Sequence, residues 1–369
     1  MPVPTPKRRL LPALVLLGLA SLLAACGSAT QASTEPAPVA SAGATESGPV
    51  NLRLGYFPNL THATAIVGLD QGFFAKALGP NVTVTTQTFN AGPAAVEAIF
   101  GGALDAAYVG PSPAINAFSR SNGGLVRIVA GAASGGAALV VRPGAGITGP
   151  ESLKGKNLAT PQLGNTQDVA LRAYLSAHGL HTTPQGGGDV NITSIDNATI
   201  LQLFKKGQFD GAWVPEPWVS RLVSEAGGTV LVDEASLWPN GQFPTTELIV
   251  TTAFLNAHPA TARRLIEGHV AAAAWVKANP AQAQTVVNNA LLKLTQKKLD
   301  TAVLSSAWQK LDFSVDPLAT ALAKQAGAAH AAGLIGAVDL HGIMDLRVLN
   351  DVLRTQGQSA VSSGGYGPS

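Results

Sequence analysis

The chain has 369 residues, 46% of them hydrophobic and only 12% charged, with a net charge of +2. That length suits about two domains of roughly 150 residues each, and the low charge excludes long disorder in the middle of the chain. Lysines and arginines are scattered, with no basic stripe and no interleaved aromatics, which excludes a nucleic-acid partner.

In chain order, the first element is a targeting segment. Lys7, Arg8 and Arg9 give a positive n-region, and Leu10 to Leu23 is an apolar run rather short for a spanning helix. The stretch Leu23-Ala24-Ala25-Cys26-Gly27 resembles the lipobox of bacterial lipoproteins. The resemblance implies that residues 1–25 are a signal peptide and that Cys26 is lipidated. Cys26 is the only cysteine, so no intramolecular disulfide and no cysteine-based metal site or catalytic dyad is available. Residues 26–49, rich in Ala, Ser, Thr and Pro, read as a flexible tether. The mature protein is therefore expected to be soluble but anchored on the extracytoplasmic face of a membrane.

Next comes LRLGYFPNLTHA, residues 52–63, in which Leu52, Leu54 and Tyr56 alternate as in a strand before Pro58, Asn59, Thr61 and His62 crowd into a turn. Strand-like and helix-like segments then alternate. VTVTTQTF (82–89), AAYVG (106–110), LVRIVAG (125–131) and ALVVRP (138–143) read as strands, and PAAVEAIFGG (93–102) as a helix ending in glycines. NLATP (157–161) is a strand, and residues 165–179 are a capped helix closed by Gly179. VNITSID (190–196), GAWV (211–214) and TVLVDE (229–234) continue the alternation, with a helix over 198–207. After TELIVTTAFL (246–255) the pattern is almost wholly helical to about Arg354, and the tail from Thr355 is loose. This alternation predicts an α/β fold with mostly parallel sheet.

One unit recurs. Gly102-Ala103-Leu104-Asp105-Ala106-Ala107-Tyr108-Val109 returns 105 positions later as Gly207-Gln208-Phe209-Asp210-Gly211-Ala212-Trp213-Val214. Each copy follows an apolar helix and leads into a proline-containing segment. Glycine stops the helix, and the Asp side chain is suited to bonding local backbone, a structural duty. Two copies at so long a period mean two similar lobes, not a solenoid.

The ordered set LRLGYFPNLTHA, QGFF (71–74), residues 102–118, LKGKNLATPQLGNTQDVALRAYL (153–175) and GQFDGAWVPEPWVSRL (207–222) resembles the substrate-binding proteins of ABC importers. More narrowly, it is similar to the family for aliphatic sulfonates, taurine and nitrate, over about residues 50–335. The resemblance implies a two-lobed periplasmic-binding-protein fold, type II-like, with two hinge crossings at 138–144 and 245–251 and a helical C-terminal part. Lobe one is then 50–137 with 250–354, lobe two is 145–243, and 355–369 is a disordered tail. It also implies a monomeric receptor without cofactor or catalytic residues, which carries a small anion to permease and ATPase partners.

Ligands of open parallel sheets bind beyond the carboxyl ends of strands, and several such ends here carry polar residues. After the first strand, Asn59 and Thr61 sit in the turn, where Thr61 is placed to cap the next helix and His62 to face the cleft. Ser112 follows the third strand as a cap or first-turn hydroxyl, beside exposed amides that favour an anion. Asn165, Thr166 and Gln167 do the same in lobe two. Trp213 offers either an apolar wall or core, as does Trp218. Glu216 either caps the helix after it or binds an ammonium group on a zwitterion such as taurine. Thr246, with Thr245, lies on the return crossing, in reach of the cleft or in a hinge. No arginine falls in these loops, and Arg172 is expected on an exposed helix face. Pyrimidine-precursor synthases of thiamine biosynthesis share this fold, so an enzyme or a receptor for a thiamine-pyrimidine precursor is the alternative. The sequence shows no nucleophile elbow, metal-spaced histidines, P-loop or paired carboxylates at a strand end, and His178 and His181 read as surface.

Overall fold

The computed structural model describes residues 48–369; the expected signal segment, Cys26 and all but the last two residues of the tether lie outside them. The first lobe opens with β1 (Val50–Tyr56), α1 (Ala63–Asp70), α2 (Phe73–Leu78), β2 (Val82–Thr88), α3 (Gly92–Phe100), β3 (Ala106–Val109), α4 (Pro111–Arg120) and β4 (Val126–Gly135). The second holds β5 (Ala137–Val141), β6 (Asn157–Thr160), α5 (Thr166–Ala177), β7 (Asn191–Ser194), α6 (Asn197–Lys205), β8 (Gly211–Pro215), α7 (Trp218–Ala226) and β9 (Thr229–Asp233). The chain returns in β10 (Pro244–Thr251). It continues through α8 (Thr252–Ala257), α9 (Pro259–Ala278), α10 (Pro280–Thr295), α11 (Thr301–Trp308), β11 (Leu311–Asp312), α12 (Leu322–Ala331) and α13 (Arg347–Thr355).

The strands form a six-stranded sheet ordered β11-β4-β10-β3-β1-β2 and a five-stranded sheet ordered β7-β6-β8-β5-β9. The pairs β1/β2, β1/β3, β6/β7 and β6/β8 are parallel, while β10 and β5 run antiparallel to their neighbours. The central strands β5 and β8 of the second sheet are buried on both faces. Leu139, Leu171 and Trp213 fill one side, and Val140, Phe204 and Val214 the other. Such strands read as near-continuous apolar runs for that reason. Each fully buried side chain of this size contributes roughly 1.5–3 kcal/mol.

The recurring unit has a recurring structural job. Gly102 and Gly207 end α3 and α6 at φ 68° and 73°, conformations that a side chain disfavours. Asp105 accepts from the Arg53 backbone N–H and Nε, both at 2.9 Å. Asp210 accepts from the Asn157 N–H at 3.0 Å and from Arg142 Nη2 at 3.1 Å. Each Asp thus ties the start of its own strand to the strand beside it.

Three expectations of domain layout are corrected. The outward crossing falls at Gly135 and Gly136, with φ 76° and 67°, not at 138–144. Residues 137–141 are a full strand of the second sheet, paired with β8 and β9. Likewise β10, expected as the return crossing at 245–251, lies wholly inside the first sheet between β3 and β4, and the chain returns through 234–243. The helical remainder packs into the core of lobe one through Leu304, Leu322 and Leu349, and it also touches lobe two. Ser306 Oγ on α11 lies 3.3 Å from Ser220 Oγ on α7, and Lys324 Nζ on α12 donates to Leu237 O at 2.7 Å. The tail after Thr355 is tied down rather than disordered. Tyr366 O accepts from the Gly342 and Met344 amides at 2.9 and 3.1 Å, and Val361 exchanges bonds of 2.8 and 3.0 Å with the Asn350 side chain. A Gly- and Ser-rich composition hides these long-range bonds, which depend on Gly367 passing so close to Met344 O that a Cβ would lie 1.9 Å from it.

Candidate functional site

Asn59, Thr61, His62, Asn165, Thr166 and Gln167 all line one cavity of about 400 Å³ between the two sheets. Their placement follows the strand-end rule, since β1 and β6 stop just before these turns. Asn59 Nδ2 donates to Thr61 Oγ1 at 2.9 Å, which braces the turn. Thr61 does not cap a helix: it sits inside a short 3-10 turn, Leu60–His62, and α1 starts after His62.

His62 is 2% exposed, and its Nδ1 accepts from the Phe57 N–H at 3.3 Å. Its proton therefore rests on Nε2. Burial lowers its pKa from 6.5 to about 3, so the ring is neutral and offers an N–H without charge. Across the cleft, Asn165 stands at the N-terminus of α5. Its Nδ2 donates to Gln167 Oε1 at 3.0 Å, and its Oδ1 accepts from the Gly92 N–H of lobe one at 3.3 Å. Thr166 Oγ1 and Asn59 Oδ1 are buried without a protein partner.

Residues not foreseen complete the lining. Phe89 and Asn90 follow β2, Asp196 and Asn197 follow β7, Leu294 comes from the last turn of α10, and Lys297 and Leu299 come from the segment joining α10 to α11. The first two pairs obey the strand-end logic already used, and their sequences TFN and IDN carried that signal. The α10–α11 segment carried none, because its approach to the cleft is purely tertiary. The rim charges are mostly engaged. Asp196 accepts from Thr199 N–H and Oγ1 at 3.0 and 2.6 Å. Arg221 Nε donates to Glu225 at 2.6 Å, and its guanidinium lies 4.7 Å from the Trp218 ring centre. Among the described residues, Lys297 is left as the lining cation without a carboxylate partner.

The other expected site residues lie elsewhere. Trp213 is fully buried in the second sheet and its Nε1 donates to Glu234 at 2.8 Å, so it is core, while Trp218 lines the cleft. Thr246 is buried on β10, and its neighbour Thr245 is the one that lines the cavity, because adjacent strand residues face opposite ways. Ser112 is the second residue of α4 after the N-cap Gly110, and it lines a separate cavity. Arg172, expected on the surface, is 2% exposed. It is held by Asp168 at 3.1 Å and by the Thr183 carbonyl at 2.6 Å.

Glu216 is not an ammonium partner in the cleft. Its oxygens accept from the Ser220 N–H and Oγ, both at 3.0 Å, so it caps the first turn of α7. Burial raises its pKa from 4.5 to about 7, against the opposing pull of the Ser220 bonds. A carboxyl whose folded pKa exceeds its unfolded value contributes stability that is full below about 4.5 and is lost as pH rises through about 7. Thermal melts of wild type and Glu216→Gln should therefore diverge over that window, with wild type losing ground at up to about 1.4 kcal/mol per pH unit. Parallel melting curves from pH 4.5 to 7 would show that Glu216 is ordinary.

Two α/β lobes that aim polar strand ends at a shared cavity define a solute-binding protein of the periplasmic type. The chain belongs to the NMT1-like family, whose model matches residues 45–291. It is 30% identical over 208 residues to the taurine-binding periplasmic protein of Escherichia coli, covering 56% of this chain and 61% of that one. It is 26% identical over 279 residues to the bicarbonate-binding protein CmpA of Synechococcus elongatus, covering 67% and 59%. The alkanesulfonate-binding protein of Xanthomonas axonopodis pv. citri, solved with MOPS, shares the fold. Its TM-score is 0.67 at 19% identity, over 79% of this chain and 96% of that one.

Proposed function

We propose that this chain is the extracytoplasmic receptor of an ABC importer, which captures a small anion between its lobes and delivers it to a membrane permease and its ATPase. The observation that carries the reading is the meeting of His62, Asn59, Asn165 and Thr166, from opposite lobes, on one cavity. Neutral donors suit an oxyanion that must be both held and released, and low local polarity strengthens each bond. The walls narrow the class. Phe57, Phe89, Trp218 and Leu294 give an apolar surface that a nitrate or bicarbonate ion would leave unused, so an alkanesulfonate or taurine fits better.

A second reading rests on the Asn59 and Asn197 side-chain oxygens, which are buried and unpaired. They ask for donors on the ligand, as an amino-pyrimidine would supply between aromatic walls. The anchor is part of the proposal: Cys26 is lipidated and becomes the first mature residue, and incorporation of labelled palmitate should vanish in Cys26→Ser.

The deciding experiment is thermal unfolding and calorimetry against alkanesulfonates, taurine, nitrate, bicarbonate and thiamine-pyrimidine precursors. A ligand that binds only the folded state must raise the melting temperature. Alkanesulfonates should stabilise more than nitrate. Asn165→Ala should weaken the best of them by roughly tenfold, the scale of one buried hydrogen bond lost. Stabilisation by the pyrimidine alone would replace the anion reading with the second one.

A further inference from the structure

Ser112 lines a second cavity of about 200 Å³. α4 and α12 form one side of it, and α5 with residues 234–238 forms the other. Its wall is apolar along Val169, Ala170 and Ala173, and is finished by Tyr174 and Trp238. Ala177 and His178, exposed at the end of α5, stand at its mouth. Ser112, Thr166 and Gln325 line it too and are only 3%, 4% and 4% exposed. Ser112 Oγ, Thr166 Oγ1 and both amide atoms of Gln325 have no partner in the protein.

Buried polar groups are almost always bonded, and a buried carboxamide with neither its donor nor its acceptor engaged is costly. Three such side chains on one cavity are a demand for an occupant. Gln325 presents an N–H donor and a carbonyl acceptor side by side, and the hydroxyls of Ser112 and Thr166 donate or accept. The charged groups nearby are already engaged. Lys324 Nζ donates to Leu237 O at 2.7 Å and lies 4.2 Å from the centre of the Trp238 ring, and Glu234 accepts from Trp213. The complement is therefore a neutral molecule with its own adjacent donor and acceptor on a small apolar body.

We propose that this cavity is a second binding site, for a small primary carboxamide or lactam. Its amide pairs with Gln325 and Ser112, and its body lies against Ala170, Ala173 and the Trp238 ring. Thr166 lines both cavities, and the walls of the second come from both lobes. Occupancy of one site therefore changes affinity at the other, and by the same factor in each direction. The site stands whatever the main cleft binds.

The test uses the purified chain with isobutyramide and 2-pyrrolidinone as probes and isobutyrate as the charged control. Both amides should raise the melting temperature saturably, and isobutyrate should not. Gln325→Leu should weaken the amides by roughly tenfold, the loss of one or two hydrogen bonds. Ala173→Phe, which fills the cavity, should abolish binding. Ser112→Ala, a smaller change, should weaken it severalfold even where the larger variants fold poorly. A polar cavity can also be satisfied by ordered water. Water alone in a crystal grown at saturating isobutyramide, or binding unchanged by both Gln325→Leu and Ser112→Ala, overturns the proposal.

Discussion

Gly110→Ala is expected to weaken ligand capture by roughly 5- to 150-fold while leaving the unfolding transition close to wild type. Gly110 is the N-cap of α4 in lobe one, with φ −73°, so alanine there carries no backbone penalty. The obstacle is across the cleft. A Cβ at 110 would lie 2.3 Å from Thr166 Oγ1, with Thr166 Cβ and Thr245 O each at 3.4 Å. The methyl either holds the lobes apart or turns the Thr166 hydroxyl out of the cavity. Both outcomes remove a contact that forms only when the lobes meet. Overpacking of this kind costs about 1–3 kcal/mol, and about 1.4 kcal/mol is tenfold in affinity. Calorimetry against the tightest ligand of wild type reads the loss, and a larger radius of gyration in solution scattering reads it without ligand. Thr166→Ala should restore closure in the double variant, so the two changes should be non-additive. Wild-type affinity and radius in Gly110→Ala would mean that this approach of the lobes is not used.

That contact could not be read from the sequence, whereas the elements that make it could. The runs around Tyr56, Val109 and Thr160 carried strand patterns, and the amide- and hydroxyl-rich turns after the first and last marked two corners of the cleft, while the turn after Val109 brings only Gly110 there and puts Ser112 on the second cavity. Period-2 patterning and turn chemistry are local, so they survive in one dimension. What failed was non-local. Trp213 has the composition of a binding loop, but Glu234 claims its indole N–H from 21 residues away. Lys297 reaches the cleft only because the α10–α11 connection folds over it. The same limit misplaced Arg172, whose burial depends on carbonyls of the loop at Thr183 and Pro184.

Arg172 also sets the largest expected loss of stability. Asp168 is fully buried, and its oxygens accept from Thr160 Oγ1 at 3.0 Å, the Gly164 N–H at 2.9 Å and Arg172 Nε at 3.1 Å. Asp168→Ala leaves a guanidinium buried without its counter-charge, and removing one member of a buried pair typically costs about 3–5 kcal/mol. It also frees Gly164, held at φ 74°, and with it the loop that carries Asn165, Thr166 and Gln167. Affinity should therefore fall together with the denaturant midpoint, at an unchanged m-value. Asp168→Asn keeps an acceptor for the Gly164 amide and loses only the charge, so its cost should be intermediate. Replacing both partners, Asp168→Leu with Arg172→Met, should destabilise less than Asp168→Ala alone, since no unpaired charge remains buried. That double variant should nonetheless bind poorly, because the bond from Gly164 N–H is gone. If Asp168→Ala unfolds within about 1 kcal/mol of wild type, the pair behaves like a surface ion pair, and the loop at Asn165 is held by the contact with Gly92 instead.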